Sequence, residues 1–396
     1  MRQFTRTHPW ITFQIDLRKA RPSLWMRLGE ASSKCEHLAG VPLRVSTASD
    51  LHRLYLARGA QATTAIEGNP LTVDEVRRHL EGQLNLPPSQ SYLTTEIDNV
   101  VAACNFIEKR LRDGEVELTK ERICQLNALV LEGLPLGDSV TPGRIRQHSV
   151  VVGDVYRGAP AEDCEFLLER LCEWLLGADF TPPSGAEIVY GIVRAVISHL
   201  YMAWIHPFGD GNGRTARLIE FQVLLGAGVP TPAAHLLSNH YNQTRSEYYR
   251  QLDVASRSGG DLLPFLEYAV SGFVDGLREQ IKRIRYQQWD VTWENYVHGL
   301  FRDKKSALQT RRKWLALDLG DTGKPVSYGE IRELTPRLAR EYKGASDKTL
   351  QRDIAALEKL ELVERGPEGA RAKREIILAF LPWRRPDPPH RSDTSP

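Results

Sequence analysis

The chain is predicted to be mainly α-helical, with one β-hairpin and a small α+β module towards its C-terminal end. Three observations predict this. Apolar residues return at three- and four-residue steps over much of the first 285 positions, the spacing of a buried helix face. A short β-branched run around Gly153-Asp154 lies between turn residues instead, as in a hairpin. Past Gln287 the composition shifts, to net +4 over 290–396 against −2 over 1–289, and the pattern becomes helix, helix, two strands. At 396 residues the chain exceeds one ordinary domain, and four segments are expected: 1–90, 91–286, 287–384 and a polar tail, 385–396.

The elements follow in order. Pro9, Pro22 and Pro42 punctuate the first 45 residues, and "WITFQIDL" (10–17) reads as a short strand. From Ser49, the residues Leu51, Leu54, Tyr55, Ala62 and Ile66 mark one helical face, which stops at "EGNP" (67–70). A second helix starts at Thr72 with Asp74 and Glu75 in its first turn. "NLPPSQS" (85–91) is a loop, and helices are read over 92–112, 119–133 and 161–176. Between the last two, 149–157 reads as the hairpin, with Arg144, Arg146 and Arg157 beside it read as solvated. Further helices are read at 186–204, about 213–226, 245–256 and about 261–285. The stretch Ile188–Ile205 is apolar but shorter than the roughly 20 residues a bilayer needs, and it carries Arg194 and His199. It is read as a buried core helix.

Composition excludes several functions. Fifty-two Lys+Arg against fifty Asp+Glu leave +2, so no global basic field points to nucleic acid. Five cysteines with no C-x-x-C pair argue against a disulfide framework or a zinc ribbon, and they read as reduced core thiols. No apolar signal segment is read near Met1, so the expected compartment is the cytoplasm, without a membrane partner.

The chemistry concentrates in "HPFGDGNGRTAR" (206–217). Gly209, Gly211 and Gly213 let successive backbone N–H groups face inward as an anion nest, and the loop opens onto a helix N-terminus whose dipole favours phosphate. Arg214 and Arg217, three residues apart, share one face there; Asp210 is a hard oxygen ligand suited to Mg²⁺ on phosphate; His206 leads the loop as a proton acceptor. No Gly-Lys-Ser/Thr follows, so the loop is not a Walker A, and a helix rather than a strand precedes it, so it is not a dinucleotide fingerprint.

This stretch resembles the Fic (filamentation induced by cAMP) family motif HxFx(D/E)GNGRxxR at every specified position, with likeness over roughly 60–275. The resemblance implies a Fic-type helical core over 91–286 with a β-hairpin flap, and an enzyme that moves AMP from ATP to a Ser, Thr or Tyr hydroxyl of a target protein. It implies His206 as the base, Asp210 as the Mg²⁺ ligand, and Gly211, Asn212 and Gly213 as the anion hole. Arg214 would steady the β-phosphate, Arg217 would meet the γ-phosphate, and Tyr248 and Tyr249 would border the adenine pocket. Phe208 would anchor the loop.

Upstream, "TTAIEGN" (63–69) resembles the family's inhibitory pattern, with Thr63 and Glu67 at its marked positions and the N-terminal segment 1–90 carrying the inhibitory helix. A carboxylate at a helix C-terminus is disfavoured by the dipole, so Glu67 gains from a cation elsewhere, and Arg217 offers a planar, always-charged fork. The hairpin, with Val151, Val152 and Gly153, corresponds to the family's flap, which holds the target by edge-strand pairing. In some relatives the same glutamate supports removal of AMP, so that activity is left open, as are the donor base and a homodimer.

The segment 287–384 resembles a winged helix-turn-helix, with "SDKTLQRDIAALEKLELVERG" (346–366) as recognition helix and start of the wing. Leu350, Ile354, Leu357 and Leu360 form its apolar face, opposite Lys348, Gln351, Arg352 and Lys359. It implies contact with DNA or with protein, and an alternative function as a nucleotide-sensing, DNA-binding transcriptional regulator.

Overall fold

The computed structural model describes residues 2–43, 45–152, 156–304 and 306–378, and the chain divides into two units, Met1–Ile281 and Lys282–Pro396. The first unit is helical: α1 (Phe4–Thr7), α2 (Pro22–Gly40), α3 (Val45–Ala65), α4 (Val73–Leu80), α5 (Ser91–Arg112), α6 (Lys120–Val130) and α7 (Ala161–Leu175) precede the central pair, α8 (Glu187–Ile205) and α9 (Asn212–Gly226). Then come α10 (Thr231–Ala234), α11 (Leu236–Gln243), α12 (Arg245–Arg257) and the long α13 (Leu263–Leu300), whose residues past Ile281 belong to the second unit. A two-stranded hairpin, β1 (Val151–Val152) and β2 (Tyr156–Arg157), pairs Val151 with Arg157 and Val152 with Tyr156.

Local chemistry sets the helix starts. Thr72 caps α4 in a full capping box with Glu75, and the Thr119 side chain accepts from the Arg122 N–H at the head of α6. Hydrophobic burial sets the rest. Thirteen of the 19 residues of α8 are buried, and the helix packs along α9 and against α2 and α7. Its close approach to the turn after α9 requires Gly191, where a Cβ would stand 2.1 Å from that of Ala227. By length and composition α8 could cross a membrane, yet 72% of its apolar window is buried inside this protein.

Three N-terminal expectations change. Residues 10–17 form no strand: Phe13 has φ 53°, which breaks an extended run, and its N–H donates to the Tyr201 hydroxyl at 2.9 Å. Pro22 opens α2 rather than interrupting the chain, because the first helical turn needs no proline N–H. The next helix, α3, starts at Val45, before Ser49.

The second unit has its own core, built on Trp293, Val297, Leu315, Ile331, Ile354 and Leu357. Its elements are α14 (Ala307–Thr322), α15 (Pro336–Glu341), α16 (Asp347–Lys359) and a hairpin of β3 (Val363–Gly366) with β4 (Gly369–Ala372). Where the first of the two C-terminal helices was read, at 327–335, the chain forms only a short 3-10 turn, Ile331–Glu333, and α14 lies where no helix was read. Leu350, Ile354 and Leu357 are buried on α16 as its pattern implied, whereas Leu360 caps its end half-buried. The expected tail, 385–396, and the flap residue Gly153 lie outside the described residues.

Candidate active site

The loop 206–211 links the two central helices, and its shape follows from its residues. The last helical residue of α8 is Ile205, and His206 turns left-handed (φ 49°), with its N–H on the Met202 carbonyl at 3.0 Å and Pro207 barring continuation. Phe208 is buried, bridges Ile145 across a short antiparallel contact, and is clamped by Asn212: the Phe208 N–H donates to Oδ1 at 2.9 Å and Nδ2 donates to the Phe208 carbonyl at 2.8 Å. Gly211 (φ 74°) then starts α9 without a side-chain cap. The first N–H groups of a helix have no intrahelical partner, so those of Asn212, Gly213 and Arg214 are left for an anion.

The charged groups converge on that point. Arg217 is buried, and its Nη2 donates to Glu67 Oε1 at 2.6 Å and to the Thr63 carbonyl at 2.8 Å. Only glycine at 213 lets the carboxylate approach: a Cβ there would sit 2.1 Å from Glu67 Oε1. Arg214, also buried, meets Glu96 at 3.1 Å and Asp210 at 3.4 Å. Asp210 is half-exposed, and its hydrogen bonds among the described residues, from Gly211 N–H at 2.5 Å and from Arg214, fall on Oδ1. Burial pushes the Glu67 carboxyl upward, but the charge and hydrogen bond of Arg217, with Arg214 and His206 behind, hold it below its ordinary value. Burial, aided by the charge of Arg146 and opposed by the Ala203 backbone, Glu67 and Asp210, lowers His206 to about 4.

These groups face a cavity of about 440 Å³ that His206, Glu67, Arg217, Gly213, Tyr248 and Tyr249 help to line. The two tyrosines are unequal. Tyr248 is buried, with its hydroxyl 2.9 Å from His199 Nε2, while Tyr249 is 45% exposed and donates to the Ile66 carbonyl at 3.3 Å. Val152 and Tyr156 close the cavity from the hairpin, and the Val151 side chain is exposed. His199 is buried as expected, and near it burial pushes the Glu220 carboxyl up to about 8.

Residues 117–224 match the Fic/DOC family. The chain carries a Fic domain. Over 207 residues, 52% of the chain, it is 33% identical to the protein adenylyltransferase fic-1 of Caenorhabditis briggsae, and over the same length 32% identical to the protein adenylyltransferase Fic of Nematostella vectensis. These matches cover 37% and 44% of those relatives, so the chain spans less than half the length of the curated relatives it matches. Among solved structures, Fic-1 from C. elegans superposes with TM-score 0.54 at 26% identity, covering 67% of this chain and 73% of that one. A Fic family protein from Desulfovibrio desulfuricans G20 superposes with TM-score 0.54 at 20% identity, over 89% of this chain and 96% of that one, which bears on the fold alone. The Fic fold is therefore the fold of the helical unit.

Several residues around this cavity were not legible beforehand. Arg146 was read as solvated, yet it is 3% exposed, and its side chain donates to the His206 carbonyl at 2.8 Å. Glu96, Tyr156 and Arg245 also escaped notice. Arg245 donates to the Ala65 and Ile66 carbonyls at 3.2 and 2.5 Å, a cation holding the C-terminal end of α3. Each lies well outside the loop in sequence, and only the packing of the elements that carry them reveals the contacts.

Proposed function

We propose that this protein is a self-inhibited adenylyltransferase that moves AMP from ATP to a hydroxyl of a target protein. The observation that carries the reading is the 2.6 Å pair between Glu67 and Arg217, which closes one end of the cavity beside the Fic loop. The relatives' name, protein adenylyltransferase, supports the reaction type.

In this reading the free N–H groups at the head of α9 cradle the phosphates, with Arg214 at the β-phosphate and Arg217 at the γ-phosphate. Neutral His206 takes the proton of the acceptor hydroxyl as its oxygen attacks the α-phosphorus. The bond from the α-phosphorus to the bridging oxygen breaks, and pyrophosphate leaves. Asp210 is half-exposed, and among the described residues its hydrogen bonds fall on Oδ1, so its other oxygen suits it to hold a Mg²⁺ ion together with phosphate. The described residues offer no cluster of three or more metal-ligating side chains, which fits such a single-carboxylate ligand better than a closed protein cage. Bound there, Mg²⁺ would neutralise phosphate charge. While Glu67 occupies Arg217, the γ-phosphate lacks its partner, and ATP cannot settle productively.

The test compares three proteins incubated with α-labelled ATP and Mg²⁺. Glu67→Gly should self-label at least about tenfold faster than wild type, since each 1.36 kcal/mol removed from the barrier gives a factor of ten. His206→Ala in that background should fall to the background signal. Equal labelling of all three would refute both roles.

For the second unit, we infer a winged helix from the order α14, α15, α16, β3, β4. Its charges favour protein contact over DNA. Arg365 pairs with Glu358, Arg371 with Glu364 and Glu375, and Arg332 with Asp347, so the cations of the wing and its neighbourhood are already matched.

A further inference from the structure

The hairpin and the proton acceptor must be held at one distance if a hydroxyl docked on the first is to reach the second. A single side chain spans that gap. Arg146 is a buried cation with no carboxylate within 4.0 Å among the described residues; instead all three of its guanidinium nitrogens donate to backbone carbonyls. Nε reaches the His206 carbonyl at 2.8 Å, Nη1 the His148 carbonyl at 2.6 Å, and Nη2 the carbonyls of Ala159 at 2.5 Å and Ile205 at 3.4 Å. Its own N–H donates to the Pro207 carbonyl at 3.0 Å. Burying an unpaired cation is costly, so a neutral side chain would suit a purely space-filling role better. What the charge supports is a three-point tie: His148 precedes β1 and Ala159 follows β2, and His206 is the left-handed turn that aims the imidazole.

Gly158 supports the same arrangement independently. A Cβ on this residue would stand 2.9 Å from the His206 Cβ and 3.0 Å from Arg146 Nη2. Its φ is not positive, so glycine is needed there for contact rather than for conformation. The residue that leaves β2 therefore rests directly against the histidine and its tether.

We propose that Arg146 is a positioning residue for AMP transfer, setting the distance between His206 and an acceptor segment docked along the paired strands β1 and β2. It touches no reacting atom and acts through the His206 backbone. The proposal rests on the AMP-transfer reading above.

Arg146→Gln, Arg146→Lys and Gly158→Ala are made in the Glu67→Gly background, and self-labelling from α-labelled ATP with Mg²⁺ is followed over a range of ATP concentrations. The limiting rate constant should fall about tenfold or more in Arg146→Gln and Gly158→Ala, on the scale of a misplacement of under 1 Å. Arg146→Lys, which keeps the charge but not the fork, should fall in between. The ATP concentration for half-maximal rate and the equilibrium Kd for ATP should move less than about threefold, because Arg146 contacts no nucleotide-binding group proposed here. Unchanged rates in both Arg146→Gln and Gly158→Ala, or ATP affinity falling in step with the rate, would overturn the proposal. Amide hydrogen exchange keeps the tie testable without turnover: residues 148–152, 156–159 and 205–208 should exchange faster together in Arg146→Gln and Gly158→Ala, and unchanged exchange in both also overturns it. Should Arg146→Gln not fold, Gly158→Ala decides alone. Absence of label in Glu67→Gly itself would refute AMP transfer, and hydrogen exchange would then judge the tie on its own.

Discussion

At the scale of single residues, burial and charge decide which groups are ready to act. His206 is lowered to about 4, chiefly by burial, so it is neutral and able to accept a proton throughout the physiological range. The sign follows directly: a base lowered from 6.5 loses competence only as pH falls towards 4. The self-labelling rate of Glu67→Gly should therefore change less than about twofold between pH 7.5 and 5.5, whereas an unperturbed histidine would lose about tenfold of its neutral form there. A rate profile with an acid limb centred near 6.5 would contradict this. Arg217 shows the complementary constraint. Its guanidinium is buried and cannot shed its proton, so it needs an anion at all times, and Glu67 supplies one until phosphate replaces it. Glu67 and Arg217 were legible together because both sit in recognisable short patterns. Arg146 was not, since nothing in "GRIRQH" separates a solvated arginine from one buried against three backbone segments.

Whole elements were read best where one periodicity ran unopposed. The central helices of the Fic domain, α8 and α9, carry long apolar faces, and their limits match the reading within a residue or so. Reading failed where a local signal has two meanings. Pro22 punctuates a loop or opens a helix with equal ease, and α14 buries six successive residues, Leu315–Gly320, which conceals its period. Asp353 on α16 lies in a segment whose sequence is only modestly basic, and the sequence does not show whether its carboxylate faces solvent. It is buried, and it accepts hydrogen bonds from Arg311 and Arg312 at 2.7 and 2.8 Å and from the Tyr342 hydroxyl at 3.1 Å. It pins α16 to α14, and it removes two arginines from any surface field. Asp353→Ala should destabilise the second unit by about 3 kcal/mol, the usual cost of removing one partner of a buried ionic cluster. Calorimetry checks this, and a change below about 1 kcal/mol would contradict it.

For the molecule as a whole, the two separate cores imply two cooperative units. Thermal unfolding should show two transitions. ATP with Mg²⁺ should raise only the one belonging to residues 1–281, by about 2.7 kcal/mol at a hundredfold excess over Kd. The Asp353→Ala substitution should lower only the other. A single transition shifted by both would show that the units unfold together.

What the sequence by itself determined is the chemistry within short reach: the loop 206–217, the helices on either side of it, and the acid at 67. These could be read because the phosphate cradle and the cation pair depend on residue types at fixed short offsets. Tertiary structure alone decided which distant groups complete the site. Arg146, Glu96, Tyr156 and Arg245 reach it through hydrogen bonds spanning 48 to 180 residues. Such contacts leave no periodic trace, because each depends on where whole helices come to rest against one another.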